Sequence, residues 1–114
     1  MVRQNIEFVD TSSIPWKKLS KGIYEKILNG DDGTGVYTRM VKIEPGAQID
    51  QILSHDFFEE FYVLEGAITD KTLNKTFTKG TYAFRRPGLK HGPLVSQNGC
   101  QTLEVRYRVN ANSE

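Results

Sequence analysis

The chain contains two histidines, His55 and His91, and each lies beside a turn and close to other side chains able to bind a metal. His55 belongs to Ser54-His55-Asp56-Phe57-Phe58-Glu59-Glu60, which runs directly into FYVLEG. Imidazole and carboxylate together suit Fe(II), Mn(II), Zn(II) or Ni(II) rather than calcium. Straight strand would hold His55 and Glu59 about 13 Å apart, too far to share an ion whose bonds are about 2 Å long. A reverse bend at Asp56-Phe57-Phe58 would bring them together. A helix would also do so, because residues four apart share a face, but the β-rich sequence that follows favours the bend. His91 lies far downstream, after Arg85-Arg86-Pro87-Gly88-Leu89-Lys90, a strand end running into a Pro-Gly turn. In an antiparallel barrel that turn could return it to the first cluster.

Alternation separates the two neighbouring glutamates. If Glu59 points inward with Phe61 and Val63, Glu60 points outward, and Glu59 is the preferred ligand. Arg39 shares a face with Tyr37, Val41 and Ile43. It either binds a carboxylate or enolate in the pocket or, slightly preferred, lies in solvent or pairs with Glu104. Arg85 and Arg86 fall on opposite faces, so one of them could reach the pocket mouth. Asp31-Asp32-Gly33-Thr34-Gly35 lacks both the EF-hand spacing and the Lys-Ser/Thr of a phosphate-binding loop, and is read as a turn. Cys100 has no CxxC partner and is read as a buried structural thiol. The Phe57-Phe58 pair would be costly in open solvent, so it lines the pocket mouth or packs in a subunit interface.

The elements that must position these groups are short strands. Val36–Glu44, Phe61–Leu64, Thr81–Phe84 and Thr102–Val109 are β-favouring, the first and last alternating clearly. Turn signals at NGDDGTG, Pro45-Gly46, Pro87-Gly88 and Asn98-Gly99 separate them. The pattern is that of an all-β sandwich or small barrel. Only Pro15–Leu28 competes as a helix, and Gly22 interrupts it. The segment 1–35 is therefore read as an N-terminal arm with one or two edge strands, 36–109 as the barrel and 110–114 as a frayed tail.

With 114 residues and a net charge of +1, the chain fits one domain, and it has no basic cluster to mark a nucleic-acid or membrane-surface footprint. Its single cysteine cannot form an internal disulfide, and the N-terminus lacks the apolar run of a signal peptide. A soluble cytoplasmic protein is expected.

Two stretches resemble the paired motifs of the cupins. PGAQIDQILSHDFFEEFYVLEG is similar to G-x5-H-x-H-x3-4-E-x6-G, with His55 at the second histidine, Glu59 at the glutamate and Gly66 closing it. GTYAFRRPGLKH is similar to G-x5-P-x-G-x2-H, matching at Gly80, Gly88 and His91 with the proline shifted by one to Pro87. With Trp16, GDDGTG and HGPLVSQNG, the pattern is closest to ChrR-like cupins, a group that includes an anti-sigma factor's metal-binding domain and acetylacetone-cleaving dioxygenases. The resemblance spans about residues 14–109.

It implies a double-stranded β-helix, a jelly-roll-type barrel, with His55, Glu59 and His91 as a two-histidine, one-carboxylate site for a divalent metal, Fe(II) first and Mn, Ni or Zn as alternatives. The chain departs from the motif at Leu53, where the first histidine would stand, and has one extra residue between Gly46 and that position. Gln51, two residues before Leu53, could act as a weak fourth ligand or position a water. Arg39, Phe61 and Val63 would line the substrate pocket. The resemblance implies a dioxygenase-like oxidoreductase acting on a small polar or dicarbonyl compound. The alternatives are a non-catalytic ligand- or metal-binding sensor module, and a lyase or isomerase using a histidine as acid or base. A homodimer with a small-molecule ligand is expected, the Trp16 arm offering an interface.

Overall fold

The computed structural model describes residues 3–108, so the expected tail at 110–114 lies outside the described residues. A 3-10 turn at Thr11–Ser13 precedes the strands β1 (Lys17–Ser20), β2 (Ile23–Asp31), β3 (Val36–Ile43), β4 (Gln48–Ile49), β5 (Phe58–Asp70), β6 (Lys75–Thr78), β7 (Tyr82–Arg85), β8 (Leu94–Val95) and β9 (Cys100–Tyr107). They build one curled antiparallel sheet in the order β1-β2-β3-β9-β5-β8-β4, with β6 and β7 also hydrogen-bonded to β5. The architecture is all-β, as the alternating runs require. No helix among the described residues is long and apolar enough to cross a membrane.

The longest strand, β5, joins the two parts of the barrel. Its first half pairs with β9 and β7, and its second half with β6 and β8. The change of partner coincides with a register shift between Val63 and Glu65 and with Gly66, at φ +74°. A side chain there would be strained, and its Cβ would meet the Gly99 carbonyl oxygen at 2.2 Å. Glycine lets the strand bend and the two backbones approach.

Period-two burial then builds the interior. Tyr37, Val41 and Ile43 of β3, Phe61 and Val63 of β5, and Cys100 and Thr102 of β9 are all buried. Ile23, Val41, Ile43, Phe61, Val63, Ile68, Leu94 and Cys100 form a continuous apolar cluster.

Residues 3–35 contribute two paired strands, β1 at the sheet edge and β2 inside it. Within them, β2 lies between β1 and β3 and pairs with β3 from Ile23 to Asp31, with Ile23 and Glu25 buried. Gly22, at φ +75°, forms the β1–β2 turn instead of interrupting a helix. The ammonium groups of Lys26 and Lys42 lie over the Trp16 ring at 4.5 and 4.9 Å, packing it against its own chain. Phe58 stacks on Tyr107 and Phe84, and Phe57 meets Gly35 and the Arg108 guanidinium.

Candidate metal centre

Three separate pieces of backbone converge on the centre. Glu59 comes from β5, where alternation turns it inward to 3% exposure. Glu60 faces the other way and accepts a hydrogen bond from the Tyr82 hydroxyl at 2.6 Å. His55 comes from the segment just before β5, where bends at Asp56 and Phe57 replace straight strand. His91 is brought in by its main chain: its N–H donates to the Leu53 carbonyl at 2.9 Å, and the Leu53 N–H donates to the His91 carbonyl at 2.7 Å. A bond from the Gly88 N–H to the His55 carbonyl, 2.7 Å, ties the same two loops together. Leu53 therefore positions His91 through its backbone while offering no ligand of its own.

One candidate ligand atom from each of His55, Glu59 and His91 lies within 4.8 Å of the others. The imidazole centroids are 5.5 Å apart, and His91 Nε2 is 4.0 Å from Glu59 Oε1. Two nitrogen donors and one carboxylate fit a first-row divalent ion. Burial, reinforced by Arg106 at His55 and by Arg85 at His91, holds both imidazoles below their ordinary range. They are consequently neutral near pH 7, the form that binds metals.

Arginines surround this cluster. Arg106 Nε donates to Glu59 Oε2 at 2.7 Å, and Arg85 Nη1 donates to Glu59 Oε1 at 3.0 Å. Burial alone would push the Glu59 carboxyl up, but the Arg106 hydrogen bond and the two guanidinium charges outweigh it and hold the group low and ionised. Arg106 Nη2 also lies 3.1 Å from His55 Nε2. A guanidinium can only donate, so His55 Nε2 accepts from Arg106 with its single lone pair, and Arg106 must release it before His55 can bind an ion. Each Glu59 oxygen has two lone pairs, so one remains on each for a metal.

Arg39 lies in the interior and also makes the expected ion pair. Its Nε and Nη2 donate to Glu104 Oε1 at 3.0 and 2.9 Å, and its Nη1 donates to Glu25 Oε1 at 2.7 Å. Glu25 and Arg106 were not singled out in the sequence. Thr102–Val109 alternates, and that pattern places Arg106 on the face of Thr102 and Glu104. Glu25 gave no comparable sign, since its segment had no settled stripe.

Two of the sequence expectations need correction. Gln51 is exposed and lines neither interior cavity, because residues 50–52 are irregular and two-residue spacing there does not impose a shared face. Val63, at 0% exposure, belongs to the packed core and not to a pocket. Phe61 does line the pocket. A small cavity of about 80 Å³ includes Arg39, Leu53, Glu59, His91 and Arg106. A larger one of about 550 Å³ opens beside it, and both share Phe61, Ile68, Arg85, His91 and Leu94 as walls.

The family described as "ChrR Cupin-like domain" matches residues 4–109. None of the curated proteins matches. Among solved structures, an RmlC-like cupin from Shewanella frigidimarina NCIMB 400 superposes with a TM-score of 0.76 over 100% of both chains at 17% identity. An acetylacetone dioxygenase from Acinetobacter johnsonii gives a TM-score of 0.68 at 14% identity, covering 100% of this chain and 83% of that one. The anti-sigma ChrR structure from Rhodobacter sphaeroides, in complex with SigE, gives 0.67 at 23% identity over 86% of this chain and 51% of the other. These likenesses establish the fold.

Proposed function

This chain belongs to the ChrR Cupin-like domain family, and on that premise we propose that it is a metal-dependent, dioxygenase-like oxidoreductase acting on a small polar or dicarbonyl compound. The observation that carries the proposal is the convergence of His55, Glu59 and His91 to within 4.8 Å beside an open cavity. These three residues would hold the ion, Fe(II) first, with Mn, Ni or Zn as alternatives. Bound there, any of these ions would supply Lewis acidity, and Fe(II) or Mn(II) also the redox chemistry that dioxygen requires.

The chain's own groups prepare that chemistry. The neutral His91 imidazole presents a lone pair without first losing a proton, and that of His55 does so once Arg106 releases it. Arg106 and Arg85 keep Glu59 ionised and fix its orientation. Arg85 also lines the larger cavity, where its positive charge favours the enolate over the neutral dicarbonyl. Phe61, Ile68 and Leu94 make the shared wall apolar, which limits water at the reacting end. A cytoplasmic homodimer with a small-molecule substrate is part of the same proposal.

Oxygen uptake by Fe(II)-loaded protein with acetylacetone as probe tests the reaction. Uptake that disappears in His91→Ala supports it. A second reading, a binding module without turnover, is favoured by Arg106, which bridges two of the three ligand residues. Stoichiometric metal with no oxygen uptake across a diketone series would select that reading.

A further inference from the structure

The larger cavity differs in chemistry from the charged centre it adjoins. Its volume of about 550 Å³ falls within the range of small-molecule pockets, about 300–1,000 Å³. Ile52, Leu73, Phe77, Phe84 and Leu89 supply much of its wall, and all but Phe77 are exposed. Among the described residues lining it, the single carboxylate, Asp70, is engaged by the backbone N–H groups of Thr72, Leu73 and Gly92. At the end shared with the candidate metal centre stand His91 and Arg85. Only Nη1 of Arg85 is committed to Glu59, and a guanidinium has five N–H donors.

Charge points the same way. Around the centre, Glu25, Glu59 and Glu104 are matched by Arg39, Arg85 and Arg106. A divalent cation added to this balanced interior brings uncompensated positive charge to a site shielded from water. An anionic group beside it restores the balance.

We propose that the cavity binds an amphiphilic anion, its carboxylate or enolate head at Arg85 beside the metal cluster and its apolar tail along Phe77, Phe84 and Leu89. This names the substrate class of the proposed enzyme. It rests on that reading for the reacting end, while the tail site stands on the cavity alone. Metal and anion then bind with positive coupling, and the coupling is reciprocal.

The test is a calorimetric titration of the full chain, metal-free and Zn(II)-loaded, with acetate, butanoate, hexanoate and octanoate, and with octanol as the neutral control. Octanoate is expected to bind at least tenfold more tightly than acetate and than octanol, and Zn(II) to strengthen octanoate but not octanol. Arg85→Gln should erase the preference for octanoate over octanol. Leu89→Asp, an exposed position that folding tolerates, should weaken octanoate while sparing Zn(II) uptake. Affinity independent of chain length, or equal for octanoate and octanol, overturns the proposal. So does self-association that shuts octanoate out, which would assign the apolar wall to a second copy of the chain. Octanoate bound by protein that takes up no Zn(II) would sustain the tail site and sink the metalloenzyme reading. Zn(II) uptake without alkanoate binding would do the reverse.

Discussion

Glu59 would serve two purposes in the proposed centre, and one substitution tests both. Its carboxylate neutralises Arg85 and Arg106 inside the barrel while keeping lone pairs for an ion. Glu59→Gln preserves shape but leaves two buried guanidinium groups poorly paired. Removing one partner from a buried ion pair costs about 3–5 kcal/mol, so urea denaturation of the metal-free protein should show a loss of that order, together with lost metal retention. The pH dependence of the three candidate ligand residues has one sign. His55 and His91 lie below their ordinary 6.5, so as pH falls under that value the unfolded chain takes protons first and stability drops. Glu59 lies below its ordinary 4.5, and its contribution is lost as pH falls further, through its depressed value. Glu25, held up by burial, acts with the opposite sign, so the check is differential: as pH falls from 7 to 5, the urea midpoint of the metal-free parent should drop more steeply than that of His55→Ala. A shallower drop in the parent would show that His55 gains protons on folding instead.

Strand geometry sets which of these residues meet. His55, Glu59 and His91 were legible in the sequence because motif spacing and residue type coincided there, and the bend expected over Asp56-Phe57-Phe58 from the reach of straight strand is found at Asp56 and Phe57, Phe58 already belonging to β5. Arg106 went unremarked although the alternation of its strand contained it, since only pairing with β5 puts it opposite Glu59. β2 was obscured because its inward Glu25 breaks the apolar pattern, and the partner that makes this burial tolerable, Arg39, lies on the neighbouring strand. Two element-level outcomes follow. Gly66→Ala should destabilise the fold by more than the ~1–2 kcal/mol of left-handed backbone alone, because its Cβ would collide with the Gly99 carbonyl; thermal unfolding measures this. Leu53→His should tighten metal retention on the order of tenfold in competition with a chelator. It adds an imidazole facing the small cavity, and the bridge to His91 uses only main-chain atoms.

At the scale of the whole molecule, a curled sheet encloses a compensated cluster of charge and opens beside it into an apolar cavity. The fold was readable because paired turn-rich motifs and alternating strands agreed, whereas of the cavity only Phe61 was, since the other walls are gathered from β5 to β8 and from the loops at Ile52, Leu73 and Leu89. Everything proposed for the reacting end depends on whether His55, Glu59 and His91 hold an ion. The most direct measurement is elemental analysis of tag-free protein beside His91→Ala, each before and after anaerobic Fe(II) supply, with circular dichroism to confirm that both are folded. Near-stoichiometric Fe, Mn, Ni or Zn in the parent and its loss in folded His91→Ala is the expected result. No metal in the parent even after Fe(II) supply, or equal metal in both proteins, would contradict the three-residue centre.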